Sequence, residues 1–584
     1  MNQYLFQHPI AAPVLSMQAW SNSEGLLPAH HPSFVMQKTA STVRGPINFL
    51  PADVLLYIFH IAVHDGSLTA FEKSNKAVDL SHVCLGWRDL AINAPTLWTN
   101  IAIRVDSNVT PHKFRTLQRA PYFVMRALKL AFSVTLDLRS TRRLDPLMSE
   151  MLETPTLSLA TSVVMDFLIP VLKCIKSLVI VSDLFATTYL ATYRLLPHPM
   201  PLLERWEIKQ GGAYRTFQSV STPDETQPFG YVNPQNFPRL RNLTLTGANT
   251  NWRDWRFSSL TSLKIQYLPI GDRPTFSALR SMLQLNGHSL REFTIQGALP
   301  MRAEPWSPFI PCSEGELITL PHLRSLTLGY AHPIEALSFL HAVNLPGLKS
   351  LALLDIARAL EDDRCAAYVG NRVPMQLVGD ANHPQFDATF FIDTMCKHFS
   401  LPLAQIEYLE LSHVMFHPLT ESGYYEYQSH CLCRISQMMD GTDLAELPIQ
   451  ELLVAPLRLL LSMPNVLMLA LHDPDPAVVA ALNLGLPNPS AHMQPQSGSN
   501  IVKHKPWVYP LPKLAVLSLT EVYDFHVLTD FLGQRTQNVK EGHINMLRHL
   551  DLSVNAERSE LEVAYREAEA DMSIITMHHK IIIR

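Results

Sequence analysis

The chain has 584 residues, 47 Lys and Arg against 52 Asp and Glu, and a formal charge of −5. That length excludes a small disulfide-dependent fold and allows several domains or one extended solenoid. The slightly acidic balance, without a basic block, argues against nucleic acid as a partner. Seven scattered cysteines, an odd number, fit free thiols in a reducing compartment, so an intracellular location, cytoplasmic or nuclear, is expected.

Residues 1–44 read as a disordered tail. The first twenty lack a basic start and are broken by Pro9 and Pro13, so no signal peptide is expected. From Leu50 the pattern changes. Pro51 suits the first position of a helix, Asp53 favours its dipole, and Val54, Leu55, Ile58, Phe59 and Ala62 recur at helical spacing. A polar insertion from about His64 to Ala77 follows, carrying Glu72, Lys73, Ser74, Asn75 and Lys76. A second helix is then expected, in which Leu80, Val83, Cys84, Trp87, Leu90, Ala91 and Ala94 repeat at i, i+3, i+4 and i+7 until Pro95 stops the run. Two helices of this size remove too little surface from water to stand alone. They need a partner surface, in this chain or in another.

Leu50-Pro51, the Val83-Cys84-x-x-Trp87-Arg88 core and Leu97-Trp98 after the proline stop together resemble the F-box, over residues 48 to about 104. The resemblance implies a unit at 45–105 that docks a Skp-type adaptor, and through it a cullin, in a ubiquitin ligase. It implies adaptor contacts at Leu50, Pro51, Ile58, Phe59, Val83, Cys84 and Trp87, with Leu97 and Trp98 fastening the unit to the rest of the chain. The polar insertion resembles the longer variant common in fungal F-box-like proteins. Read without the family, the same residues describe a helical hairpin capping a larger domain.

After this unit one phrase returns. It appears at Phe237–Leu245, Leu320–Leu328, Leu345–Leu353 and Leu511–Leu519, with weaker copies at 175–180, 203–208, 260–265, 290–295, 406–411, 466–471 and 547–552. In L-x-x-L-x-L the last two leucines are two apart and point to one side of a strand, so parallel stacking would bury a continuous leucine ladder. The pattern resembles the strand-bearing part of a leucine-rich repeat. Apolar helical stretches such as Ile334–Leu340 would cover the other side. The expected fold is α/β: a short N-terminal helical F-box-like module, then an irregular leucine-rich-repeat solenoid over 106–555. Spacing between copies is uneven, and only the last carries the Asn, Asn555, that forms the family's internal ladder. Insertions are therefore expected around 354–402 and 412–462. Residues 473–510 read as a surface loop, disordered at 487–505, and 556–584 as a C-terminal helix or tail.

Two apolar runs, Leu157–Ile175 and Leu457–Leu471, contain charges and prolines and are read as core, so no membrane is expected. The sequons at Asn108 and Asn242 are read as chance. No phosphate loop, zinc helix or nucleophile elbow is present, and neither a cofactor nor a metal is expected. His430-Cys431-Leu432-Cys433, with His413 or His417, lacks the second ligand pair of a zinc site. On the face opposite the leucines, Thr244, Lys264, Gln266, Glu292, Thr327, Glu410, Ser518 and Asp551 are the expected target-binding residues, alongside Arg205, Glu207, Thr246 and Thr294. The expected function is non-catalytic: a substrate-recognition subunit of a Skp–cullin–F-box ligase that holds an unknown protein target. The alternatives are a repeat scaffold outside any ligase and an enzyme using Cys431 or Cys433 as nucleophile.

Overall fold

The computed structural model describes residues 50–105, 115–127, 129–139, 146–182, 185–210, 233–248, 250–268, 270–300, 317–331, 333–356, 388–398, 401–414, 416, 455–482, 486–487, 507–520, 525–540, 544–545, 547–553 and 581–583. The tail at 1–44, the cluster at His430–Cys433, His417, Asn108, Asn555, most of the loop at 487–505 and the acidic stretch at 557–570 lie outside them. The chain divides into two units, 1–55 and 56–584. In the first, the described residues are Leu50, Pro51 and the start of a helix, where the Leu55 N–H donates to the Pro51 carbonyl at 3.1 Å.

The strands of the second unit are β1 (Asn100–Arg104), β2 (Phe132–Asp137), β3 (Ile175–Ser182), β4 (Arg205–Gln210), β5 (Asn242–Thr246), β6 (Ser262–Gln266), β7 (Glu292–Gln296), β8 (Ile318–Thr319), β9 (Ser325–Tyr330), β10 (Val343–Asn344), β11 (Ser350–Asp355), β12 (Tyr408–Ser412), β13 (Met468–His472), β14 (Leu486–Pro487), β15 (Trp507–Val508), β16 (Val516–Thr520), β17 (His549–Ser553) and β18 (Ile581–Ile583). Fourteen of them form one sheet in chain order, β1-β2-β3-β4-β5-β6-β7-β9-β11-β12-β13-β16-β17-β18. Every pairing in it is parallel. The short pairs β8–β10 and β14–β15 stand outside it. The fold is mixed α/β around a large parallel sheet.

All eleven copies of the leucine phrase become strands of this sheet. Their paired leucines point inward as the two-residue period requires: Leu243, Leu245, Leu263, Ile265, Leu326, Leu328, Leu351, Leu353, Leu409, Leu517 and Leu519 are buried. The helical stretch at 334–340 is the helix Pro333–His341. Three strands of this sheet were not expected. β1 begins inside the span assigned to the helical unit, β2 alternates without the full phrase, and β18 falls where a helix or tail is expected. Consecutive β-branched isoleucines at 581–583 favour the extended state, which is the physical reason for that correction.

Main-chain hydrogen bonds form a ladder along the sheet. From β4 to β16, the carbonyl just before each strand of the sheet accepts two N–H groups from the next: Glu204 from Arg241 and Asn242, Arg241 from Thr261 and Ser262, Thr261 from Arg291 and Glu292. The same step continues through Arg291, Arg324, Lys349, Glu407, Leu467 and Ala515, at 2.7–3.2 Å throughout. At the opposite end of several strands the next residue turns left-handed. Gly247 (φ 65), Tyr267 (φ 54), Gly297 (φ 55), His413 (φ 56) and Asp473 (φ 48) each donate N–H to the last residue of the following paired strand, or to its equivalent Gly329. Three of these five are not glycine, so each accepts a local cost of about 1–2 kcal/mol to keep the ladder.

The apolar run at 157–174 lies on the helix Pro146–Leu168 and the turn after it. It is the one described helix long and apolar enough to cross a membrane by length and composition. Leu157, Ala160, Val164, Met165, Leu168 and Leu172 are nevertheless buried in the main core. The run at 457–471 is divided between the helix Ala455–Ser462 and β13.

Close strand packing gives one direct test. A Cβ on Gly329 would sit 2.8 Å from both Cβ and Cγ of Gln296 and 2.9 Å from its Cα, whereas one on Gly66 would meet nothing within 4 Å. Gly329→Ala is expected to lower stability by about 1–3 kcal/mol. Gly66→Ala should stay within about 0.5 kcal/mol of the parent, both read from urea unfolding midpoints.

Candidate functional site

The helical region begins with α1 (Ala52–His64), α2 (Ala70–His82) and α3 (Leu85–Ile92). The expected polar insertion is largely α2. Its signal was present: Thr69-x-x-Glu72 is a capping box, in which the Glu72 N–H donates to Thr69 Oγ1 at 3.3 Å and the Thr69 N–H to Glu72 Oε2 at 2.7 Å. The polar surface of this helix obscured it, since only Ser74, Ala77, Leu80 and Ser81 are buried. Nor is the second expected helix continuous. Cys84 is extended (φ −157, ψ 171) and starts α3 as its N-cap, with Sγ accepting the Trp87 N–H at 3.5 Å.

This break redistributes the expected apolar stripes. On α1 the buried residues are Leu55, Phe59 and Val63, while Ile58 is 38 % exposed. Phe59 is fully buried, 4.7 Å from the half-buried Trp87 ring, so it ties α1 to α3 and presents no surface to a partner. Val83 and Cys84 are exposed because the chain turns there, as are Leu50 and Pro51. Sequence reasoning missed Tyr57 (67 % exposed), Ile61 (54 %), Leu85 (74 %) and Ile92 (36 %). Eight of the seventeen large apolar side chains exposed among the described residues fall between Leu50 and Ile92. Their signal lay in the small buried residues of α2, which need little apolar cover and leave large ones elsewhere without it.

Leu97 and Trp98 sit in a short 3-10 turn and are buried. Trp98 Nε1 donates to the Ala91 carbonyl at 2.8 Å, and its ring meets Phe123 of α4 (Arg115–Ala127) edge-on at 5.0 Å, under the Arg126 guanidinium. The helices pass directly into the sheet there, through Phe71 of α2 beneath the Arg104 guanidinium of β1.

His64 closes the same junction. Its Nε2 lies 3.1 Å from the Thr96 carbonyl, so Nε2 carries the proton, and Nδ1 accepts from Asn100 Nδ2 at 3.4 Å. A second proton on Nδ1 would face that donor. Burial, then the tilted His60 ring at 4.3 Å and Lys73, hold the His64 pKa below 6.5 against the opposing Thr96 bond.

The polar face of the sheet is in register across its length. Ala102, Thr135, Val179, Glu207, Thr244, Lys264, Thr294, Thr327, Ala352, Glu410, Ala470, Ser518 and Asp551 form one row, each opposite the next. Six of the eight expected target-binding residues therefore share a row. Gln266 lies in the following row and Glu292 in the preceding one. Thr246 Oγ1 donates to Gln266 Oε1 at 3.1 Å and Gln266 Nε2 to Gln296 Oε1 at 2.5 Å, an amide chain across three strands. Glu292 accepts from Ser262 Oγ, and Glu410 from the Tyr408 hydroxyl, whose pKa burial and that carboxylate push above its ordinary value. Glu207, expected as exposed, is 4 % exposed and lies beneath Arg205 and Lys209.

Among the described residues no three His, Cys, Asp or Glu side chains converge as metal ligands. His413 pairs instead with Asp473 at 3.1 Å. No model of a known protein family matches the chain, and no curated protein matches its sequence.

The His64 geometry sets a pH dependence. Because the folded pKa lies below 6.5, the unfolded chain binds the proton more readily; the neutral-His contribution is complete above pH 6.5 and is lost as pH falls through the folded value. His341, depressed by burial, acts in the same sense. The urea midpoint should fall between about pH 7 and pH 5, and His64→Asn should narrow that difference.

Proposed function

We propose that the chain is the substrate-recognition subunit of a Skp–cullin–F-box ubiquitin ligase, its sheet a leucine-rich-repeat solenoid and its first helices an F-box-like module. The observation that carries this reading is the crowding of exposed apolar side chains onto α1 and α3. Tyr57, Ile58, Ile61, Val83, Leu85 and Ile92 are all at least 36 % exposed within thirty-six residues. Water-exposed apolar groups at such density mark a surface that another protein covers. Phe59, Trp87 and Trp98 form the support behind it, and small buried side chains on α2 let the helices approach closely.

On this reading the adaptor takes the helices, the target takes the polar strand row, and catalysis belongs to the partners. The chain acts by proximity, raising the concentration of target near a ubiquitin-loaded enzyme. An intracellular location goes with it.

Purified Skp-type adaptor should retain the full chain. Tyr57→Ala combined with Ile61→Ala should weaken retention by about tenfold or more. Each exposed substitution should move stability by no more than about 0.5 kcal/mol. Phe59→Ala is the poorer probe, because removing a buried ring costs about 3–5 kcal/mol and disturbs the support itself. A wild-type chain that the adaptor does not retain would end the ligase reading.

A further inference from the structure

The polar row is electrically lopsided. Among the described residues, the face of β1 to β6 carries Arg104, Arg205, Lys209 and Lys264 against the carboxylates Asp137 and Glu207: four cations to two anions, an excess of two. From β7 onward the described face residues include Glu292, Glu410 and Asp551 and no Lys or Arg. Among the described face residues the two halves therefore carry opposite charge.

The carboxylates do not cancel the cations; they hold them in place. Asp137 is 5 % exposed and is gripped by Arg104 at 3.0 Å and Arg139 at 2.8 Å, whose own side chains are 51 % and 55 % exposed. Glu207, also 5 % exposed, is gripped by Arg205 at 2.6 Å and Lys209 at 2.5 Å, which are 56 % and 51 % exposed. Burial alone would raise both carboxyl pKa values, but the bonds and charges of the paired cations outweigh it and hold both below the ordinary carboxylate range. In each trio the cations are oriented by a buried anchor. Between the trios, on β3, the face turns apolar with the half-buried Val179 and Val181.

We infer that this half of the strand face binds an extended acidic segment of a protein target, its carboxylates on the two cation trios and Lys264 and an apolar side chain over Val179 and Val181. From β1 to β6 there are five strand spacings of about 4.8 Å, a span that about seven or eight extended residues cover. A protein segment suits the face better than a nucleic acid, because carboxylates and valines interrupt the cations and none of the face residues of β1 to β6 offers an aromatic ring for base stacking. The inference rests on the proposed target-recruiting role and supplies the chemistry of its target.

The test is fluorescence anisotropy of the full-length protein with a labelled octapeptide of alternating glutamate and leucine. Saturable binding that weakens as salt rises is expected. Lys264→Glu should reduce affinity by about tenfold. Arg548→Glu alters net charge equally but stands beside β17, and should change affinity by less than about twofold. Lys264 is a suitable probe because its loss strands no buried carboxylate; Arg205→Gln with Lys209→Gln, checked by circular dichroism, should give a loss at least as large. No binding, equal losses from Lys264→Glu and Arg548→Glu, or binding of a phosphoserine peptide or polyuridylate in place of the glutamate peptide would each overturn the inference. Adaptor retention measured on the same preparation separates the two claims. A chain retained by adaptor that ignores the peptide refutes this inference alone, and a chain that binds peptide but not adaptor refutes the ligase reading alone.

Discussion

One main-chain arrangement governs the sheet from β4 to β17: the carbonyl before a strand receives two N–H groups from the start of the next. A carbonyl oxygen has two lone pairs, so it can serve both donors at once. Serving both fixes where the next strand begins as well as that it pairs. A slip of one residue would break both bonds and turn every inward leucine to water. The common register of the polar row follows from this constraint, repeated at nine consecutive steps from Glu204 to Ala515. Segments between neighbouring strands of the sheet vary from 15 residues, 247–261, to 55, 413–467, without disturbing it, since the cost of closing a longer loop grows only slowly with its length.

The strands were legible because their signal is local. Leu-x-x-Leu-x-Leu states both the inward pair and the preceding turn, and each of the eleven copies reads correctly without knowledge of the others. β2 offered only a bare alternation, Phe132, Val134 and Leu136, which a period of two supports but the phrase does not mark. The backbone ladder was invisible, since it uses no side chain.

The helical region was less legible for a physical reason. Apolar periodicity finds a helix by what it buries, and α2 buries serine and alanine. Only its cap, Thr69 with Glu72, announces it. The same bias joined residues 80–94 into one helix across Cys84, whereas Phe59, placed at a contact surface by the resemblance, is fully buried. Of the seven residues expected to meet an adaptor, Leu50, Pro51, Ile58, Val83 and Cys84 are exposed, while Phe59 is buried and Trp87, in contact with it, is half-buried. The row of expected target residues fared better, because alternation in a strand determines which side a residue faces. What alternation could not give was the burial of Glu207 and Asp137, which depends on cations two residues away or on the adjoining strand.

The position of β1 gives the helices a second role. It is the terminal strand of the sheet, and its unpaired side is the kind of open backbone edge through which parallel sheets recruit foreign strands. α2 and α4 pack against β1, with Phe71 under the Arg104 guanidinium, Thr116 Oγ1 accepting the Arg104 N–H and donating to its carbonyl, and Arg119 reaching across to Asn75. Thr116 thus offers the last residue of the strand the pairing that a neighbouring strand would have supplied. The sheet ends in a side chain that mimics a backbone, and strand addition is blocked where it would begin.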